Sequence, residues 1–300
     1  MYLEHFGLKA KPFGLNPDPA YLFLSSQHSL AYHMLEYGLL SQAGITVISG
    51  EVGAGKTTLL RHLLNQHNED DLVVGLLADT EKDTAKKLMS WIAMAFDLEH
   101  TGNKIDLKKR FQKFLIDNYA QGKTTVLIVD EAQNLGKKAL EQLRLLNNIN
   151  SGPDELLKII LVGQPELLDK LQSPKLMQLA QRVTVEFHLG SLKAEDALGY
   201  IRHRLKVAGA EKEIFDKAAV YGIYYLAGGV PRLINTLCDY ALVYGFANGD
   251  DQIGIDAVFE VARGRKIGGV NRQKGVAEDL EIARSYVQKA TGRDIAGTNS

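Results

Sequence analysis

The sequence is poor in the features that mark secreted, disulfide-bonded or membrane-spanning proteins. Its 300 residues include a single cysteine, Cys238, so no disulfide can form within the chain. A buried structural thiol in a reducing compartment is the expected role. No apolar run approaches the about 18–20 residues of a membrane span, and the first residues lack a signal-peptide pattern. We therefore expect a soluble cytoplasmic protein with no membrane span, whose association with the inner membrane, if any, passes through partners.

An excess of either charge is also missing. The chain has 35 Lys and Arg against 36 Asp and Glu, a net charge of −1, so no global positive field indicates nucleic-acid binding. Basic clusters do occur at 108–113, 202–206 and 263–274. Such clusters more often mark a solvated helix face than a DNA site. Binding to DNA would therefore depend on a local patch.

Short apolar runs alternate with helical periodicity over the first two thirds of the chain. Four strands are predicted, at 45–50, 72–77, 124–130 and 157–163. One helix is predicted before the first strand, at 27–42, and three between strands, at 56–68, 84–97 and 105–120. Strands that are apolar throughout are typical of a parallel sheet with helices on both faces. Four further helices are predicted, at 194–208, 213–227, 231–248 and 255–263. The sequence therefore predicts an α/β domain followed by a small all-helical domain.

These patterns divide the chain into four predicted parts. They are an aromatic and proline-rich segment (1–29), an α/β domain (30–190), a helical domain (191–266) and a polar tail with one possible helix at 276–290 (267–300). Three prolines within eight residues, Pro12, Pro17 and Pro19, exclude a regular helix around them. Its aromatic residues indicate that it packs onto the rest of the protein.

Residues 50–57, GEVGAGKT, match the P-loop (Walker A) pattern G-x-x-x-x-G-K-[ST] in full, between a predicted strand and a predicted helix. Gly53 and Gly55 let the backbone turn so that its N–H groups point at phosphate oxygens. Lys56 is expected to reach the β- and γ-phosphates of ATP, and Thr57 to bind Mg²⁺. The predicted ATP-binding residues are Gly50, Glu51, Val52, Gly53, Ala54, Gly55, Lys56, Thr57 and Thr58.

Residues 126–133, VLIVDEAQ, form an apolar strand that ends in two acids, the pattern of a Walker B motif. Asp130 is expected to hold Mg²⁺ through water, and Glu131 to act as the general base for the attacking water. An acidic start to a helix is the alternative explanation, but the position after a P-loop favours catalysis. The predicted activity is therefore hydrolysis of Mg²⁺-ATP.

Three further polar residues are weaker candidates. Gln164 follows the fourth strand and could sense the γ-phosphate, although a simple strand exit through Pro165 explains it equally well. Arg182 and Arg232 have the planar, permanent charge that suits phosphate. By spacing alone, a surface salt bridge is the favoured explanation for each arginine.

The order of the motifs GEVGAGKT, VDEAQ, LVGQPEL, QRV and GGVPRLIN resembles that of AAA+ ATPases. More closely, residues 1–265 resemble the ExeA/GspA-like group of bacterial secretion-associated ATPases, including the opening MYLEHFGL, PF, NPDP and YL. The resemblance implies a P-loop NTPase sheet followed by an all-helical AAA+ lid, with the aromatic opening near the adenine. It also implies that Arg182 is an arginine finger inserted into a neighbouring subunit and that Arg232 touches the γ-phosphate in its own subunit. A homo-oligomer, either a ring or a filament, is expected.

The resemblance leaves the biological role open. Secretion-type members continue into a membrane span and a peptidoglycan-binding region, whereas this sequence ends at Ser300 with neither, which predicts a truncated form or a cytoplasmic relative. The first role is an assembly ATPase for an envelope machine, with a protein of type II secretion, a pilus or exopolysaccharide export as its partner. The alternative is a DNA-bound ATPase of the MuB/TnsC type that recruits a transposase. A third reading is a nucleotide-gated adaptor that scarcely hydrolyses ATP.

Overall fold

A computed structural model describes residues 1–41, 44–67, 71–78, 84–151, 154–264 and 276–292. The chain divides into two compact units. The first, here called the helical unit, comprises Met1–Gln27, Val52–Gly55 and Gly190–Ser300. The second, here called the α/β unit, comprises His28–Glu51 and Lys56–Leu189.

The α/β unit is built on a parallel sheet of five described strands in the order β2-β3-β6-β1-β7. These strands are β1 (Ile45–Gly50), β2 (Leu72–Leu77), β3 (Thr124–Val129), β6 (Leu157–Gly163) and β7 (Val183–Leu189). A two-stranded hairpin, β4 (Asn150–Ser151) and β5 (Asp154–Glu155), lies apart from the sheet. The helices are α2 (Ser26–Leu40), α3 (Lys56–Asn65), α4 (Thr84–Ala95), α5 (Lys104–Ala120), α6 (Lys137–Asn147), α7 (Glu166–Leu171) and α8 (Met177–Ala180).

The register of the sheet determines which residues meet at its carboxyl edge. Every residue of β1 is buried, and Ser49 near its end pairs with Gly163 of β6 and His188 of β7. Val129, the last residue of β3, pairs with Leu161 of β6. The segments that leave β1, β3 and β6 therefore emerge side by side, as ligand-binding loops of parallel sheets do.

Some details of the α/β unit differ from the sequence predictions. The helix predicted at 27–42 was expected to turn Leu30, together with Leu35 and Leu39, toward the core, but Leu30 is 54% exposed. The buried face of α2 runs through Ala31, Leu35 and Leu39 instead. Helix α6, the β4–β5 hairpin and the short helices α7 and α8 were not predicted. The β3 prediction ran one residue too far, since Asp130 lies beyond the strand.

The helical unit contains α1 (Tyr2–His5), α9 (Ala194–Val207), α10 (Lys217–Ala227), α11 (Pro231–Asn248), α12 (Ile255–Gly264) and α13 (Val276–Thr291). Its core includes Phe6 and Phe13 from the opening segment. Helix α10 begins at Lys217 rather than at the predicted 213, because the Asp216 side chain caps it by accepting a hydrogen bond from Ala219 N at 2.6 Å.

Two sequence predictions bear on the interior of the helical unit. Cys238 is fully buried, as predicted, and burial raises the pKa of its thiol well above the ordinary value. Helix α13 corresponds to the possible helix at 276–290, and its Ala283 and Val287 are fully buried in the same core. The rest of the predicted polar tail after residue 266, at 267–275 and 293–300, lies outside the described residues. Within the described part of the chain, no helix combines the length and apolar character that crossing a bilayer requires.

Candidate active site

The P-loop joins β1 to α3 and depends on two glycines with left-handed backbone conformations. Gly53 has φ +82 and Gly55 has φ +104, values that side chains other than glycine rarely adopt. Gly53 is further constrained by the start of α11, because a Cβ at this position would lie 2.3 Å from Cβ of Arg232. Arg232 N also donates a hydrogen bond to Gly53 O at 3.2 Å. The structure therefore brings Arg232 against the tip of the P-loop.

Lys56 begins α3 and is only 8% exposed. Its ammonium group donates to the carbonyl oxygens of Gly50 at 2.6 Å and Glu51 at 3.0 Å. Burial lowers the pKa of Lys56, against the opposing effect of the carboxylates of Glu131, Asp130 and Glu51. The lysine is thus held at the base of the P-loop with its charge facing the acids after β3.

Thr57 and Asp130 are brought together from α3 and the end of β3. Thr57 Oγ1 donates to Asp130 Oδ2 at 3.3 Å, and Asp130 Oδ1 accepts from Glu131 N at 2.9 Å. Hydroxyl and carboxylate oxygens are the ligands that Mg²⁺ prefers, usually with waters completing its shell. This pair therefore fits a magnesium ion.

Glu131 has an unusual backbone conformation for a residue with a side chain. Its φ is +51, and Asp97 is the other non-glycine residue with positive φ in the described part of the chain. Such strain costs on the order of 1–3 kcal/mol and tends to occur at functional sites. Glu131 Oε2 accepts hydrogen bonds from Gln164 Nε2 at 3.1 Å and from Gln133 Nε2. The structure therefore places Gln164 at the candidate base.

Arg182 lies at the other end of the sheet. It directly precedes β7, whose Val183 pairs with Ile45 at the start of β1, so roughly 16 Å of strand separates this arginine from the start of the P-loop. Its Nη1 lies 3.4 Å from Asn147 Oδ1 and 3.5 Å from Glu155 Oε1. The structure does not bring Arg182 to the P-loop of its own chain.

Two polar contacts at this edge of the sheet were not predicted. Gln133, two residues after Glu131, contacts both Glu131 and the backbone of Gln164. Ser49 Oγ and His188 Nδ1 are 3.0 Å apart, which links the end of β1 to β7. The position of Gln133 in the turn that follows the two acids was a usable signal in the sequence, whereas the Ser49–His188 contact depends on the strand order.

Comparisons with known proteins bear on the fold of the chain. A family model described as an AAA domain matches residues 39–171. Among solved structures, the ORC2 protein of Aeropyrum pernix in its ADPNP–ADP complexes gives a TM-score of 0.68 at 14% identity, covering 97% of this chain and 86% of that one. Cdc6p of Pyrobaculum aerophilum gives 0.63 at 13% identity, covering 81% and 70%. The fold is therefore that of the P-loop AAA+ ATPases, as predicted.

A curated protein gives a more specific relationship. The chain is 42% identical over 255 residues to general secretion pathway protein A of Aeromonas hydrophila, an alignment that covers 84% of this chain and 46% of that protein. The predicted resemblance to the ExeA/GspA-like group is therefore confirmed. The chain spans about half the length of this curated relative.

Proposed function

We propose that this protein binds Mg²⁺-ATP at the P-loop and hydrolyses it. The observation that carries the proposal is the convergence of Lys56, the Thr57–Asp130 pair and Glu131 at the carboxyl edge of one sheet. A phosphate-binding cation, oxygen ligands for a metal and a candidate base are the parts that phosphoryl transfer to water requires.

In this proposal each residue has a distinct task. The P-loop residues 50–58 surround the phosphates, and Lys56 exchanges its two carbonyl partners for phosphate oxygens. Thr57 and Asp130 hold Mg²⁺, which neutralises phosphate charge when it is bound. Glu131 accepts a proton from the water that attacks the γ-phosphorus, while the bond from that phosphorus to ADP breaks. Gln164 supports Glu131 through its amide, and the contact of Arg232 with Gly53 supports a coupling between α11 and the nucleotide.

The test of hydrolysis is Glu131→Gln, with Glu186→Gln on the exposed face of β7 as the matched control. We expect Glu131→Gln to keep ATP binding and to lower the turnover rate by about 10²- to 10⁴-fold, the range attributed to general bases. The control should behave as the native protein. Retained turnover in Glu131→Gln would remove this residue from the role of base. If the native protein turns over ATP no faster than the uncatalysed background, even at high protein concentration, the result would instead support the nucleotide-gated adaptor.

We further propose that the ATPase works as a homo-oligomer in which Arg182 acts on a neighbour. The distance of Arg182 from its own P-loop supports this, because only a second subunit can then present a P-loop to it. Arg182→Ala and Lys56→Met should each be inactive alone, and mixing them should restore part of the activity, since each supplies what the other lacks. Mixtures without any recovery would argue against action between subunits.

The biological role that we propose is assembly of a bacterial envelope machine, of the type II secretion, pilus or exopolysaccharide-export kind. The 42% identity to general secretion pathway protein A supports it. In this role the protein works in the cytoplasm and reaches the inner membrane through a protein partner of that machine.

The charge pattern also supports this role over DNA binding with a transposase as the partner. In each of the three basic clusters an arginine is paired with a glutamate: Arg110 with Glu99, Arg202 with Glu213 and Arg263 with Glu260. The part of the third cluster after residue 264 lies outside the described residues. Filter binding to duplex DNA, with and without ATP over a salt series, tests the choice. ATP-dependent binding that weakens steeply with salt would favour the DNA-bound role.

A further inference from the structure

We infer that Gln133 is a positioning residue that sets the carboxylate of Glu131 for its work as a base; this inference rests on the proposed ATP hydrolysis. Gln133 lies in a 3₁₀ turn, Ala132–Asn134, directly after Glu131. Both ends of its amide are used. Nε2 donates to Glu131 Oε2 at 2.5 Å, and Oε1 accepts from Gln164 N at 3.0 Å.

The turn that carries Gln133 is held from a second element. Lys170 Nζ, on α7, donates to the carbonyl oxygens of Gln133 and Leu135, the latter at 2.9 Å. The end of β6 leaves space for the glutamine, because a Cβ on Gly163 would lie 2.9 Å from Gln133 Oε1. Both the backbone and the side chain of Gln133 are therefore determined by their surroundings.

One carboxylate oxygen of Glu131 accepts hydrogen bonds from two side-chain amides. Gln133 Nε2 and Gln164 Nε2 both donate to Oε2, and Gln133 in turn binds the backbone of Gln164. Gln133 thus orients the carboxylate directly and also fixes the residue that supplies the second amide. A base must lie about 2.6–3.2 Å from the proton it accepts, and a misplacement of about 1 Å can cost on the order of 100-fold in rate.

A glutamine is suited to this position because it offers a donor and an acceptor at the required length. Alanine at 133 would remove both contacts. Glutamate at 133 would keep the length and the acceptor for Gln164 N but would place a second carboxylate against Glu131. Comparing the two substitutions therefore separates the effect of losing the amide donor from the effect of losing both side-chain contacts.

The experiment compares Gln133→Ala and Gln133→Glu with Gln112→Ala, a control at an exposed glutamine of α5. We expect kcat to fall about 10- to 100-fold in both Gln133 variants, with the Kd for ATP within about twofold of the native value. Gln133→Glu should lose at least as much kcat as Gln133→Ala. Gln112→Ala should keep native kcat. Thermal unfolding of each variant shows whether the fold is retained.

Three outcomes would overturn the inference. Native kcat in both folded Gln133 variants would show that Glu131 does not need this residue. A loss of ATP affinity that parallels the loss of kcat would assign Gln133 to the general structure of the site. Gln133→Glu at native kcat would show that the amide donor is dispensable. Absence of turnover in the native protein is a different result. It would refute the proposed ATP hydrolysis itself, and there would then be no base for Gln133 to position.

Discussion

Lys56 in the α/β unit and Arg204 in the helical unit are each 8% exposed, and each donates to two backbone carbonyls. Lys56 binds the oxygens of Gly50 and Glu51 at the P-loop. Arg204 Nε donates to Pro12 O at 2.6 Å and its Nη2 to Gly14 O at 3.3 Å. Each buried cation thus has backbone carbonyl oxygens as hydrogen-bond acceptors.

The partners around the two cations differ. Arg204 also donates to the Tyr200 hydroxyl at 3.0 Å and lies 4.9 Å from the centroid of the Tyr21 ring. The Tyr200 hydroxyl in turn donates to Asn235 Oδ1 at 2.7 Å. A guanidinium group is planar and always charged, so the charge in this network does not depend on pH. Arg204 therefore ties the opening segment to α9 within the helical unit.

Lys56 has the opposite character. It faces the acids after β3, and burial lowers its pKa, so the folded protein holds this charge at some cost. Its carbonyl partners belong to a glycine-containing loop and can be replaced by a stronger acceptor such as phosphate. The two cations are equally buried but have different partners, and the partners of Lys56 suit the phosphate binding proposed above.

The largest expected effect comes from Lys56→Met. ATP affinity should fall by at least about 100-fold, because hydrogen bonds from a charged group contribute about 1.5–3 kcal/mol. The free energy of unfolding without ATP should stay within about 1 kcal/mol of the native value, since the removed charge was already penalised by burial. Nucleotide titration and urea unfolding measure the two quantities. A large loss of stability without ATP would make Lys56 a structural cation like Arg204.

The pH dependence of the unfolding free energy gives a second test, of whether burial lowers the pKa of Lys56. Between the lowered pKa of Lys56 in the folded protein and 10.5 in the unfolded chain, the unfolded chain binds more protons. The unfolding free energy of the native protein should therefore rise with pH in this interval relative to that of Lys56→Met. A difference between the two proteins that does not change with pH would contradict the assigned cause.

Arg204→Met is expected to lower the unfolding free energy by about 2–4 kcal/mol, because it leaves the buried Pro12 carbonyl and the buried Tyr200 hydroxyl without their donor. Arg202→Met on the same helix is the matched control. Its salt bridge to Glu213 is exposed, at 57% and 63% for the two side chains, and should contribute no more than about 1 kcal/mol. Urea unfolding compares them. Equal losses in the two variants would refute the role of Arg204 in attaching the opening segment.

The smallest expected effect concerns another attachment of the opening segment. The Tyr2 hydroxyl donates to Asp239 Oδ1 at 2.6 Å, and burial, followed by this hydrogen bond, raises the pKa of Tyr2 above 10.0. Tyr2→Phe should cost about 1–2 kcal/mol at neutral pH. The pKa of Tyr2 is higher in the folded protein than in the unfolded chain, so this contribution to stability is lost as the pH rises above 10. The difference in unfolding free energy between the native protein and Tyr2→Phe should therefore narrow there.

Tyr37→Phe, at a tyrosine that is 59% exposed, is the control for this pH series. It should leave the unfolding free energy within about 0.5 kcal/mol of native, as surface substitutions usually do. A gap for Tyr2→Phe that stays constant above pH 10 would show that the Tyr2–Asp239 hydrogen bond is not its source.

The parts predicted well from the sequence were those with local signals. Strands β1, β3 and β6 were recognisable because strands buried on both faces are apolar throughout. Helix α6 was overlooked although Leu140, Leu143 and Leu146, at helical spacing, are all buried. Leu30 could not be placed correctly, because its exposure depends on which face of α2 the rest of the unit covers.

The sequence by itself determined the P-loop and the two acids after β3, because a tight phosphate-binding turn needs Gly53 and Gly55 at a fixed spacing. The tertiary structure alone decided what the buried polar groups bind. Arg204 meets the carbonyl of Pro12 across 192 positions of the chain, and Glu131 meets the amide of Gln164 across 33. Hydrogen bonds are short and directional, so such pairs form only where the fold brings both groups together, and no local periodicity records them.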